Sequence, residues 1–191
     1  MHCMELVSVS VGDTEYEVRC DGDHRSGAVL IIGSAGVAAE SYDDLCARLH
    51  NSGLRTITLP HSPGIDHRAA LAAVDAANAA WVNVAGYGAG ATVAWQFAAR
   101  HFNRVSSLVV LGAAHPAAAT ASAPAEDPEC PPVEVGTTII STSPAELGQA
   151  KASGPFVRGD LRIVSANSEG ASGQDAAAIV ATEVVLRSNP W

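Results

Sequence analysis

Between Asn83 and Phe102 the chain reads NVAGYGAGATVAWQFAARHF, with glycine at alternate positions 86, 88 and 90 between an apolar stretch and a run of small residues. A strand that turns sharply on glycine into a helix serves one of three ends. It lifts a nucleophilic side chain on a strained turn, it cradles a phosphate with backbone amides, or it only lets strand and helix pack closely. The first needs a reactive side chain at the middle position, where this chain has Gly88. Two histidines are the other candidates for chemistry: His61 follows LRTITL and His115 follows SSLVVLG. Both are expected at the carboxyl edge of a sheet, where open α/β sheets place ligands and where an imidazole can act as general base toward water or an acidic C–H. Equally, both can be polar loop residues, since the chain has seven histidines.

The elements that must position these residues follow from periodicity. LVSVSVGDTEYEVRC alternates apolar and polar residues on both sides of Gly12 and Asp13, the pattern of a hairpin. AVLII is a continuous apolar run, as in a strand buried on both faces of a parallel sheet, and it leads into the loop SAGVAA. Ser41 is placed to cap a helix carrying Tyr42, Leu45, Cys46 and Leu49 on one face, with Asp43 and Asp44 in its first turn. The alternation continues through LRTITL, a helix over RAALAAVDAAN, AWVNVAG, the helix after Gly90, VSSLVVLG, VGTTIIS, LRIVSA and a last helix near DAAAIVATEVVLR. Repeated strand–helix units predict a doubly wound, mostly parallel sheet opened by an antiparallel hairpin. Residues 116–135, rich in Ala, Pro and Ser, break the rhythm as an irregular loop, and 1–191 reads as a single domain.

The glycine frame at 86, 88 and 90, the order of the elements and the run AARHFNRVSSLVVLGAAHP together resemble the α/β-hydrolase superfamily. The likeness extends over nearly the whole chain. LIIGSAGVAAESY is similar to the family's oxyanion loop and the start of its first helix, and LPHSPGID to the loop that usually carries D-x-x-G-x-G-x-S. The resemblance makes the glycine turn a nucleophile elbow, G-x-S-x-G, with Gly88 where the serine stands. It also implies an acid near Ser143 or Pro144, for which Glu146 is the nearest carboxylate, and a histidine after LRIVSA, where the chain reads NSEGAS. No histidine follows His115, so the triad is dismantled at more than one position. Backbone amides survive such losses. The resemblance therefore leaves an oxyanion or ligand-binding set of Ala89 with Ser34 or Ala35, and Tyr87 beside it. A helical cap often follows the sixth strand in this family, but residues 116–135 leave room for no cap domain.

GYGAGA also matches G-x-G-x-x-A, a dinucleotide fingerprint, but no Asp or Glu lies between Asp75 and Glu126 to take a ribose hydroxyl. No cofactor is expected. His61, Asp66 and His67 have no ligand-pair spacing, and the four cysteines have no CxxC spacing, so no metal is expected either. A net charge of −9 opposes nucleic acid and anionic membranes, and no signal or membrane-length apolar run is visible. Scattered cysteines fit a cytoplasmic location. The sequence thus predicts a capless α/β-hydrolase-like protein that is a non-hydrolytic binding or accessory protein for a small carbonyl or carboxylate compound. Two alternatives stand beside it: an enzyme using a histidine base with the backbone oxyanion hole, and a structural subunit that docks a second copy or another protein.

Overall fold

The computed structural model describes residues 4–120, 123–166 and 173–188. Strand β1 (Glu5–Val11) folds back on β2 (Thr14–Asp21), and the register puts Tyr16, Val18 and Cys20 inward while Glu15, Glu17 and Arg19 alternate with them. Six further strands complete the sheet: β3 (Gly27–Ile32), β4 (Leu54–Leu59), β5 (Val82–Tyr87), β6 (Val105–Leu111), β7 (Gly136–Ser141) and β8 (Leu161–Ser165). Their order is β1-β2-β4-β3-β5-β6-β7-β8, antiparallel up to β4 and parallel from there on. The apolar runs of β3 and β5 are buried because helices cover both faces of the central strands.

One face carries α2 (His67–Ala76), α3 (Ala89–Arg100) and α4 (Pro144–Ser153), the other α1 (Asp43–Asn51) and α5 (Gly173–Ser188). The core under α3 holds Trp95 and Phe97, both fully buried, and emptying such an aromatic site costs about 3–5 kcal/mol. On the opposite face Leu45, Cys46 and Leu49 of α1 pack with Val180, Ala181 and Val184 of α5. Among the described residues no helix is long and apolar enough to cross a membrane.

Two local readings differ from the sequence expectation. Ser41 does not cap α1, because a 3-10 turn over Ala39–Tyr42 precedes the helix and its N-cap, Tyr42, makes no side-chain cap bond. Helix α4 is absent from the sequence reading, although S-x-x-E at Ser143 and Glu146 marks it. Ser143 Oγ accepts from the Glu146 amide at 3.2 Å, and the Glu146 carboxylate accepts from the Thr142 amide at 2.6 Å. Glu146, the carboxylate nearest the expected acid position, is thereby committed to holding the start of α4.

The segment between β6 and β7 has no helix or strand of its own among the described residues and is pinned near its middle. Asp127 accepts from Arg100 at 2.8 Å and from Gln96 at 3.3 Å, both on α3, and its amide donates to Pro116 O at 3.0 Å. Farther on, Val133 bridges to Val157.

Candidate functional site

The turn from β5 to α3 is shaped by what its glycines touch. Gly88 has φ 52° and ψ −120°, a conformation that side-chain-bearing residues rarely adopt. A Cβ at Gly86 would lie 2.5 Å from Ala94 Cβ, and one at Gly90 would strike the carbonyl oxygens of Gly33 and Ile32. Strand, turn and helix are in backbone contact here, which only hydrogen at these positions allows.

Ser34 completes the turn from the side of β3. A Cβ placed on Gly88 would meet Ser34 Oγ, so in its present rotamer the serine hydroxyl occupies the space into which a residue at the turn would project. Ser34's own amide is also committed: it donates to the Tyr42 hydroxyl at 2.7 Å. Of the two amides proposed on this loop, only that of Ala35 has no acceptor among the described residues. The Ala89 amide, at the first position of α3, has no acceptor within its helix and carries the positive end of the helix dipole. Tyr87 faces elsewhere. Its ring packs on Tyr42 at 5.2 Å in the core beneath α1 and α5, and burial raises its phenol pKa.

A cavity of about 230 Å³ opens on the β6 side of the turn. Gly88, Ala89 and Thr92 form one wall, Gly112 to Pro116 another, and Glu126 and Gln149 contribute polar atoms. At a share of about 30 Å³ per liquid water this is space for several waters or one small organic molecule. Glu126 is held only loosely to the wall, with Thr92 Oγ1 donating to its carboxylate at 3.3 Å.

His115 lies in this wall but is 1% exposed, and both ring nitrogens are engaged. Nδ1 accepts from the Ala117 amide at 3.1 Å, so Nε2 carries the proton and donates to Pro131 O at 3.1 Å. The ring stacks on Phe156 at 4.8 Å and meets Trp95 edge-on at 5.2 Å. Burial pushes its pKa down to about 4, which keeps it neutral. A base must offer a lone pair to the reacting proton, and this ring has none to spare. His61 sits half-buried between β4 and α2 and does not line the cavity.

The structure thus brings Gly88, Ala89 and His115 to one cavity and leaves Ser34 and Ala35 on the β3 side of the turn, with His61 and Tyr87 apart. The sequence reading missed Thr92, Glu126 and Gln149. Thr92 could have been found, since it lies three residues beyond Ala89 and shares its helix face. Glu126 and Gln149 come from distant segments that no local pattern connects. NSEGAS, the stretch read for a family histidine, lies outside the described residues, and among those residues no group of three or more His, Cys, Asp or Glu could hold a metal.

Similar folds occur among solved structures. Epoxide Hydrolase A from Mycobacterium thermoresistibile superposes with a TM-score of 0.76 at 11% identity, covering 97% of this chain and 98% of that one. The enol-lactonase from Burkholderia xenovorans LB400 gives 0.71 at 17% identity, over 95% and 99%. A predicted CIB-like hydrolase from Thermoplasma acidophilum gives 0.69 at 13% identity, over 99% and 100%. The chain has the α/β-hydrolase fold. At 191 residues the chain fits this fold without a cap domain. No protein-family model and no curated protein matches the sequence.

Proposed function

We propose that this α/β-hydrolase-fold chain is a non-hydrolytic binding or accessory protein for a small carbonyl or carboxylate compound. In this reading the β5–α3 turn is a nucleophile elbow without its nucleophile, and of the oxyanion-hole amides that of Ala89 borders the cavity while that of Ala35 stands on the β3 side of the turn. The observation that carries it is the placement of Ser34 Oγ against Gly88: the space for an attacking side chain is filled from the neighbouring loop. Ser34 is not read as a substitute nucleophile, because among the described residues no hydrogen bond joins its hydroxyl to an imidazole and His115 has both nitrogens committed. The hydrolase names of similar structures describe reactions that need an activated nucleophile, which the described residues at this turn do not supply. What they supply is a polar cavity under the positive end of α3.

The test is twofold. A fluorophosphonate probe is expected to label no serine, and small carbonyl compounds are expected to shift the Ala89 amide resonance and raise the melting temperature. Stoichiometric labelling of a serine, Ser34 above all, would overturn the reading.

A further inference from the structure

We infer that the occupant of the cavity beside Gly88 is an uncharged carbonyl compound that also presents an N–H or O–H donor, with amides the class that fits, and that Glu126 excludes free carboxylates. This rests on the binding role just proposed and narrows it. The cavity has two unlike ends. At the Ala89 end the amide and the helix dipole ask for an acceptor, which a carbonyl oxygen supplies. At the Glu126 end stands a carboxylate, an acceptor only, which asks for a donor.

Glu126 is available for that role. Its one recorded partner is the Thr92 hydroxyl, at a weak 3.3 Å, and among the described residues it has no ion pair. The nearest cation along the same helix, Arg100, is taken by Asp127 at 2.8 Å. Thr92, which donates to Glu126, lies three residues beyond Ala89 on the same helix and lines the same cavity, so the donor end and the acceptor end belong to one space. A molecule with a carbonyl at one end and an amide N–H at the other answers both ends. A carboxylate ligand drawn to Ala89 would bring its charge close to that of Glu126, and the net charge of −9 adds to the repulsion.

The matched probes are N-acetylglycinamide and N-acetylglycine, which have the same shape and differ in the terminal amide and carboxylate. Each is titrated at constant ionic strength into the wild type and Glu126→Gln, following the backbone amide resonances of Ala89 and Thr92. The wild type is expected to bind the amide at least about tenfold more tightly, and Glu126→Gln to bring the two within about threefold of each other. Glu126 is exposed, so the variant keeps the fold, and its remaining resonances report that directly. Equal binding of both probes to the wild type, or discrimination that survives in Glu126→Gln, overturns the inference while leaving a binding site in place. If neither probe perturbs Ala89 or Thr92, the inference fails together with the binding role.

Discussion

Gly88 combines two constraints that a substitution can separate: a backbone conformation with positive φ and a Ser34 hydroxyl in the path of any side chain. Gly88→Ser is expected to cost about 1–3 kcal/mol and Gly88→Val more, since a β-branched residue fits that conformation worst. Adding Ser34→Gly to Gly88→Ser should recover about 1 kcal/mol by clearing the collision, a coupling readable from chemical denaturation of the two single variants and the double. Lack of coupling would mean that Ser34 turns aside freely. His115 gives a second prediction. Its folded-state pKa of about 4 lies below the ordinary 6.5, so the unfolded chain takes up the proton first as pH falls. The neutral ring's contribution is complete above 6.5, declines through the window down to about 4 and reaches a loss of about 3 kcal/mol. Burial depresses His67 and His101 as well, so they act in the same sense. Denaturation curves between pH 7 and 5 should show the decline, and His115→Asn should show less of it. A wild type equally stable at both pH values would contradict this account of the buried ring.

At the level of elements, the strands were legible wherever burial set their pattern. β3 and β5 are buried on both faces and read as unbroken apolar runs, and β1 and β2 alternate because one face meets the core. Helix starts were less legible. Ser41 looked like a cap from its residue type and from the apolar spacing and acidic residues that follow it, yet the chain makes a 3-10 turn there before α1 begins. α4 escaped because Leu147 and Ala150 form too thin an apolar stripe beside Pro144 and Gly148, although its capping box was present in the sequence. Since that box does most to define the start of the helix, Ser143→Ala should cost about 1 kcal/mol, measured by denaturation, whereas Ser41→Ala should cost far less. A reversed order would place the cap where the sequence suggested. The glycine turn was legible because backbone crowding dictates residue type at Gly86, Gly88 and Gly90. The cavity wall was not, because Glu126 and Gln149 reach it through tertiary packing of segments with no shared period.

Across the whole molecule, the net charge of −9 opposes compaction, and the described ion pairs relieve it only locally. Raising the salt concentration from low to physiological is therefore expected to raise the melting temperature by roughly 2–4 °C, as for about 1 kcal/mol in a chain of this size. Calorimetry in sodium chloride checks this, and a fall in melting temperature would show that the ion pairs outweigh the general repulsion. The anchoring of Asp127 on α3 bears on something other than stability. Arg100 and Gln96 stand on the same helix whose first residue forms the cavity wall, and Asp127 follows Glu126 directly in the chain. One helix thus carries part of the cavity wall and the fastening of the residue next to Glu126. If the proposed binding role holds, a guest that displaces Glu126 strains the Arg100–Asp127 pair as well, and the opposite end of α3 takes a share in how the cavity opens.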